Sequence, residues 1–266
     1  MLQMTADQPI SVEAERAAPG RSELATSVGK AMALLTAFDR ATPIGVSELA
    51  RKAELSKSTA FRLLTTLEQF QLVVRVGSRY RLGTKLFELG NQVAYCCPSS
   101  LREIAHPYLE ELHELSHQTA QLAVLDGRDV LYLDKVFGHD HVRSPSHVGR
   151  RIPAHCTALG KVLLAHAGSD VVDTLLTGKL ERRTPYSIVQ PSLLREELDT
   201  IRHRGVAFDR EEASVGLVCI AAPIRNRRND TVAAVSVSGP AGRFDPDQFT
   251  TPVRRAAVSI GERLYS

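Results

Sequence analysis

The spacing of apolar residues changes period twice between Ile44 and Gly83. After Ser47, the apolar residues Leu49, Ala50 and Ala53 share one side of a short helix, with Arg51 and Lys52 pointing elsewhere. Ser47 is its expected N-cap. The tract Ala53-Glu54-Leu55 breaks the pattern, and Ser56 can cap a second helix running from about Lys57 to Phe70. There Ala60, Leu63, Leu64 and Leu67 fall at helical spacing and face a core, leaving Lys57, Ser58, Thr59 and Arg62 outward. The period then drops to that of a strand. LVVRV, the turn signal Gly77-Ser78 and Tyr80-Arg81-Leu82 predict a hairpin that carries Arg75, Arg79 and Arg81. Two helices joined by a short turn and followed by a basic hairpin form a winged helix-turn-helix, assigned to residues 24–83.

Helical spacing returns at Leu86, Leu89, Val93 and Cys97, which predicts a linker helix over 84–98 that Pro98 ends. Leu101 to His117 is amphipathic, and QLAVLDGRDVLYLDKV reads as two strands about Asp126-Gly127. A helix from about Thr157 to Ala167 follows, then two more between Ser169 and Arg204. Two apolar strands come next, LVCIAAPI and TVAAVSVSG, and a last helix from Asp245 to Tyr265. This order predicts an α+β domain over 99–266 with an antiparallel sheet. The two apolar strands are expected at its centre, one face under helices and the other open to a cavity. Residues 1–23 lack periodicity and read as a disordered tail.

Charge gives the first half a partner. From Ile44 to Leu82, Arg51, Lys52, Lys57, Arg62, Arg75, Arg79 and Arg81 face only Glu48, Glu54 and Glu68, whereas the formal net charge of the whole chain is +3. The positive field is concentrated on the helix-turn-helix, as for a double-stranded DNA partner. The N-terminal turns of a recognition helix enter the major groove, so Lys57, Ser58, Thr59 and Arg62 are the expected base and phosphate contacts, with Ser47 on the positioning helix. Arg75, Arg79 and Arg81 suit phosphates or the minor groove.

With 266 residues the chain has room for two cores. No apolar run approaches the roughly 20 residues that span a bilayer, so the expectation is a cytoplasmic protein with no membrane partner. Four cysteines, two of them adjacent, show no disulfide framework. No cofactor, catalytic residue or metal ligand is expected. Single features of the chain also fit three other functions. Cys219 or Cys156 with His155 could form a thiol–imidazole pair of an enzyme. His139, His141, His147, His155 and Cys156 could serve a metal sensor, although their spacing matches no compact zinc motif. The winged domain could also bind a protein.

The residues ELARKAELSKSTAFRLLTTLE and YRLG, with GRRIPAHCTALGKVLLA, FDREEASVGLVCIAAPI and VSVSGP in that order, resemble the IclR family of bacterial transcription regulators from about Ser27 to the C-terminus. The resemblance implies a winged helix-turn-helix, a linker helix and an effector-binding and oligomerisation domain, acting as a homodimer and possibly a dimer of dimers. It also implies a pocket lined by Ala158, Leu159, Asp209, Cys219, Ser236 and Ser238. The chemistry of these residues suits a small oxygen-rich metabolite, since N–H groups at a helix N-terminus receive a carboxylate and the two serines share a strand face, and the expected effector is a small organic or aromatic acid. An ionised Asp209 would oppose an anion, so a bond to a ligand hydroxyl or water suits it better. The chain departs from the family pattern at Val218, where many relatives are basic, and at Leu159, where some carry a smaller residue. Both bear on pocket charge and volume.

Overall fold

The computed structural model describes residues 26–39, 42–96, 100–138 and 145–264, which fall into two compact units, 26–96 and 100–264. The expected tail at 1–23 and two of the proposed metal ligands, His139 and His141, lie outside the described residues.

In the first unit, α1 (Ser27–Thr36) precedes a two-residue strand β1 (Ile44–Gly45), then α2 (Val46–Lys52) and α3 (Lys57–Gln69). The hairpin is β2 (Val73–Val76) and β3 (Arg79–Leu82), and β1 joins it to give the order β1-β3-β2. Leu34 from α1, Ile44, Leu49, Ala60, Leu64, Val73 and Tyr80 close one small core. Neither α1 nor β1 is evident from periodicity. A two-residue strand carries no pattern, yet the pairing of Ile44 with Tyr80 and Gly45 with Arg79 decides where α2 begins. Gly45 therefore takes the N-cap position without a side-chain bond, and Ser47 is an exposed residue of the first turn. That corrects the capping role expected of Ser47. Leu63 is only half-buried.

The expected linker helix is shorter than its apolar spacing suggests. Helix α4 covers Thr84–Gly90, and after a turn the chain forms a single 3-10 turn at Ala94–Cys96. Leu89 and Val93 are about half exposed, so no buried apolar stripe offsets the low helix propensity of Gly90 and Asn91. Cys97 and Pro98 lie outside the described residues.

The second unit opens with α5 (Leu101–Ser116), capped by Ser100, and the hairpin β4 (Thr119–Asp126) and β5 (Asp129–Val136). Then come β6 (Arg151–Pro153), a 3-10 turn at Ala154–Cys156, α6 (Ala158–Ala165), α7 (Ser169–Thr177) and α8 (Pro191–Arg204). Strands β7 (Ala207–Arg210), β8 (Leu217–Arg225) and β9 (Thr231–Pro240) lead to a 3-10 turn at Pro246–Phe249 and α9 (Thr250–Leu264). The six strands run β6-β5-β4-β9-β8-β7 with every pair antiparallel. The short edge strands β6 and β7 escape a reading based on apolar runs.

Strand alternation sends Ala123, Tyr132, Cys219, Ala221 and Ala234 to a core shared with α6, α7 and α8. Leu122, Ile220, Ala222, Val235 and Val237 are buried on the opposite face, where α5 and α9 pack. Both faces thus carry helices. The expected open face does not exist, and any cavity must lie between the sheet and α6.

Helix α6 has all eight residues buried. A Cβ at Gly160 would lie 2.1 Å from the Ala154 carbonyl oxygen, so a glycine lets the helix approach the preceding turn. Gly160→Ala is therefore expected to cost about 1–3 kcal/mol through forced displacement of backbone, read as a lower urea midpoint with unchanged slope.

Candidate DNA-reading helix and ligand cavity

Helix α3 is capped as its sequence predicts. Ser56 Oγ accepts the Thr59 N–H at 3.2 Å, and the Ser56 hydroxyl donates to Thr59 Oγ1 at 2.8 Å. Ser58 Oγ lies 3.1 Å from Ser56 Oγ. The hydroxyl of Thr59 thus serves the cap, whereas Lys57, Ser58 and Arg62 are exposed. A half-exposed aromatic, Phe61, lies among them and is missed by a reading that looks only for polar readers.

The wing divides its arginines. Pairings Val74–Arg81, Arg75–Tyr80 and Val76–Arg79 put Arg79 and Arg81 on the outer face, and Arg75 on the face of buried Tyr80. Arg75 Nε donates to the Gly77 carbonyl at 3.0 Å, and Arg79 donates to the Pro43 carbonyl at 3.3 Å. Arg79 and Arg81 offer one joint cationic surface, and Arg75 flanks the turn.

In the second unit a cavity lies beneath the start of α6. Its walls include Ala158, Leu159, Asp209, Cys219 and Ser236, with Gln121, Tyr132, Pro145, Ser146, Ile152, Thr157, Ala213 and Leu217. Five of the six expected residues meet there. Ser238 does not line it; its hydroxyl accepts from Gln121 Nε2 at 3.3 Å. Gln121 also donates to Ser146 Oγ at 3.0 Å. Gln121 and Tyr132 were legible only through their strand register, since Gln121 pairs with Ser236. The cavity encloses only about 10 Å³, room for about one water.

Its electrostatics are unusual. Asp209 Oδ1 accepts the N–H groups of Glu212, at 2.7 Å, and Ala213, at 3.4 Å. Burial, reinforced by the nearby Glu212 carboxylate and opposed by Lys161, pushes the Asp209 carboxyl up to about 7. Lys161 is fully buried, paired with Glu212 and 3.5 Å from Glu197. Ser236 Oγ is buried with no protein partner. Thr157 Oγ1 accepts the Gly160 N–H at 2.9 Å, and the N–H groups of Ala158 and Leu159, in the first turn, have no intrahelical acceptor. Donors and an aspartic acid able to be neutral converge on one small space.

The thiols are unsuited to catalysis. Burial raises Cys156 to about 12, its S–H donates to the Pro153 carbonyl at 3.2 Å, and burial also pushes Cys219 well up. A nucleophilic cysteine needs the opposite shift. His155 is buried with Nε2 2.9 Å from the Glu181 carbonyl, and burial lowers its pKa. Among the described residues no cluster of three His, Cys, Asp or Glu side chains could hold a metal, and no helix is long and apolar enough to cross a membrane.

A capped recognition helix beside a cationic wing, in a chain that also carries a sheet domain with a polar cavity, is the architecture of a DNA-binding transcription regulator. Residues 27–77 match the IclR helix-turn-helix domain, and residues 93–262 match the C-terminal domain of the bacterial transcriptional regulator IclR; the chain belongs to the IclR family. The regulator KdgR of Dickeya chrysanthemi is 34% identical over 245 residues, covering 90% of this chain and 80% of that protein. The transcriptional repressor IclR of Escherichia coli K12 is 36% identical over 212 residues, 78% of this chain and 77% of that one. The structure of an IclR homolog from Microbacterium hydrocarbonoxydans, complexed with 4-hydroxybenzoate, superimposes with a TM-score of 0.81 at 29% identity, covering 90% and 99% of the two chains. These relatives are regulators of transcription, not enzymes.

The raised carboxyl of Asp209 has a consequence for stability. The folded state holds its proton to about pH 7 and the unfolded state only to about 3.8, so ionising Asp209 costs stability progressively as pH rises from about 4 to about 7. Asp209→Asn, which keeps an acceptor for the two N–H groups, should gain in melting temperature relative to wild type across that window. The gain should be small at pH 4.5 and largest at pH 8; a difference independent of pH would contradict the assignment.

Proposed function

We propose that this regulator is controlled by a small organic acid, aromatic acids included, bound in the cavity beneath α6. The observation that carries this reading is the buried, unpartnered Ser236 hydroxyl facing the same space as Asp209 and the first turn of α6. A buried polar group without a partner costs about 1–3 kcal/mol, and a ligand oxygen removes that cost. The N–H groups of Ala158 and Leu159 and the dipole of α6 favour negative charge. Asp209, when protonated, donates a bond to an acid instead of repelling it; Tyr132, Ile152, Leu159 and Leu217 accept an apolar body. The structural relative that holds 4-hydroxybenzoate supports the same class of ligand. Because so little free volume exists, ligand entry has to displace a wall, which gives binding a way to alter the conformation of the domain.

At the DNA end, Lys57, Ser58 and Arg62 of α3 read the major groove, with Thr59 beside them holding the cap and Ser47 on the positioning helix. Arg79 and Arg81 anchor phosphates, with Arg75 beside the turn. The protein acts in the cytoplasm as a homodimer on a near-palindromic operator with half-sites about 34 Å apart, and dimers can pair further. An effector alters occupancy by binding the DNA-bound and free arrangements differently, a coupling typically of about 1–3 kcal/mol.

The test uses a duplex selected from a random library by the full-length protein. Arg62→Ala should weaken binding most through one base pair per half-site, whereas Arg79→Ala should weaken selected and scrambled duplexes alike and lower the salt dependence. Equal losses for Arg62→Ala on both duplexes would overturn base reading. On the same complex, small carboxylic acids including 4-hydroxybenzoate should change the anisotropy of labelled DNA at least fivefold in apparent affinity for one member, by the lower end of that coupling. The effect should weaken above pH 7 as Asp209 ionises.

A further inference from the structure

Phe61 is the residue of α3 whose exposure the fold does not explain. Its side chain is 49% exposed, although Ala60, Leu64 and Leu67 on the same helix are buried. An α-helix turns about 100° per residue, so the first two turns of α3, viewed down the axis, present Lys57, Phe61, Ser58 and Arg62 in that order within about 140° of arc. Phe61 therefore sits between the cationic and hydroxyl side chains that are left exposed at the capped end of the helix. An apolar ring in that place gains nothing from water or phosphate. It has a chemically matched partner in the major groove, where thymine alone among the four bases presents a methyl group.

We infer that Phe61 is a base-reading residue whose ring packs on a thymine 5-methyl group, adding an apolar preference to the polar contacts of Ser58 and Arg62. The assignment rests on α3 entering the major groove by its N-terminal turns, as proposed above. Phe61 is placed to meet one base, because neighbouring Ser58 and Lys57 occupy the arc on either side of it. Burial of one methyl group corresponds to about a fourfold change in affinity.

The experiment replaces each thymine of the selected duplex singly by deoxyuridine, which removes the methyl and leaves base pairing intact. For the wild-type protein, one replacement in each half-site should weaken binding about fourfold, and the others should have little effect. Phe61→Ala should bind the unmodified duplex more weakly by at least that factor and be indifferent to the replacement; Phe61→Leu should retain part of the dependence. Melting temperatures of both variants should stay close to wild type, since the ring is half exposed. Wild-type binding unaffected by every replacement, which needs no variant to observe, would overturn the inference, as would the same loss in Phe61→Ala. If uracil replacement is silent while Arg62→Ala still shows loss at one base pair, only the role of Phe61 falls. If Arg62→Ala loses equally on selected and scrambled DNA, the groove-entering helix itself is refuted.

Discussion

The seating of α6 against the sheet is the constraint on which the rest of the second unit depends. Gly160 brings the helix so close to the turn at Ala154 that no side chain fits between them, and Thr157 holds the cap. Lys161, one residue on, reaches Glu212, whose backbone N–H is in turn held by Asp209. The first turn of α6 and the segment after β7 are thereby fixed around the space that Ser236 of β9 faces. Neither the helix nor the loop can shift alone. On the proposed reading, a ligand that wedges the cavity open has to move this assembly, which would let a small pocket act on the whole domain.

Costs to stability gather at the same place. An unpartnered serine hydroxyl, an aspartic acid whose charge is opposed by burial and an ion pair withdrawn from water all lie within or directly behind the cavity wall. On the other face α5 and α9 bury Leu109, Leu112, Val253 and Ile260, and the charge buried there is partnered: Asp134 of β5 lies 2.8 Å from His106 and 3.9 Å from Arg102 of α5. An unmet serine hydroxyl and a carboxyl raised to about 7 that face one cavity support the proposed reading of a site held for function at the expense of stability. The buried thiol of Cys219 belongs to that wall as a packing group, and that of Cys156 lies in the adjoining core.

Much of this was legible in the sequence wherever a period or a cap carries the signal. Ser56, the apolar row Ala60, Leu64 and Leu67, and the hairpin about Gly77-Ser78 fold as their spacing predicts, because each rule acts over a few neighbouring residues. What escaped was decided by distant pairing. Gly45 begins α2 because β1 is captured by β3 across more than thirty residues, which displaces Ser47 from the cap. The apolar spacing from Leu86 to Cys97 suggested one helix, but spacing alone does not supply a surface to bury Leu89 and Val93. The cavity wall shows the same division. The motif residues Ala158, Asp209, Cys219 and Ser236 converge, whereas Gln121 and Tyr132 join them through sheet register, and Ser238, which shares the strand face of Ser236, is drawn into a bond with Gln121. Phe61 escapes a reading that seeks only polar side chains at the groove-facing end of α3.

The central claim, that the space beneath α6 is held open to a ligand's oxygen, is tested most directly by Ser236→Ala in thermal unfolding with and without small carboxylic acids. Removing a buried hydroxyl that has no protein partner should raise the melting temperature of the free protein, and it should shrink the stabilisation given by whichever acid stabilises the wild type. A lower melting temperature for the free variant together with an undiminished response to that acid would contradict the account.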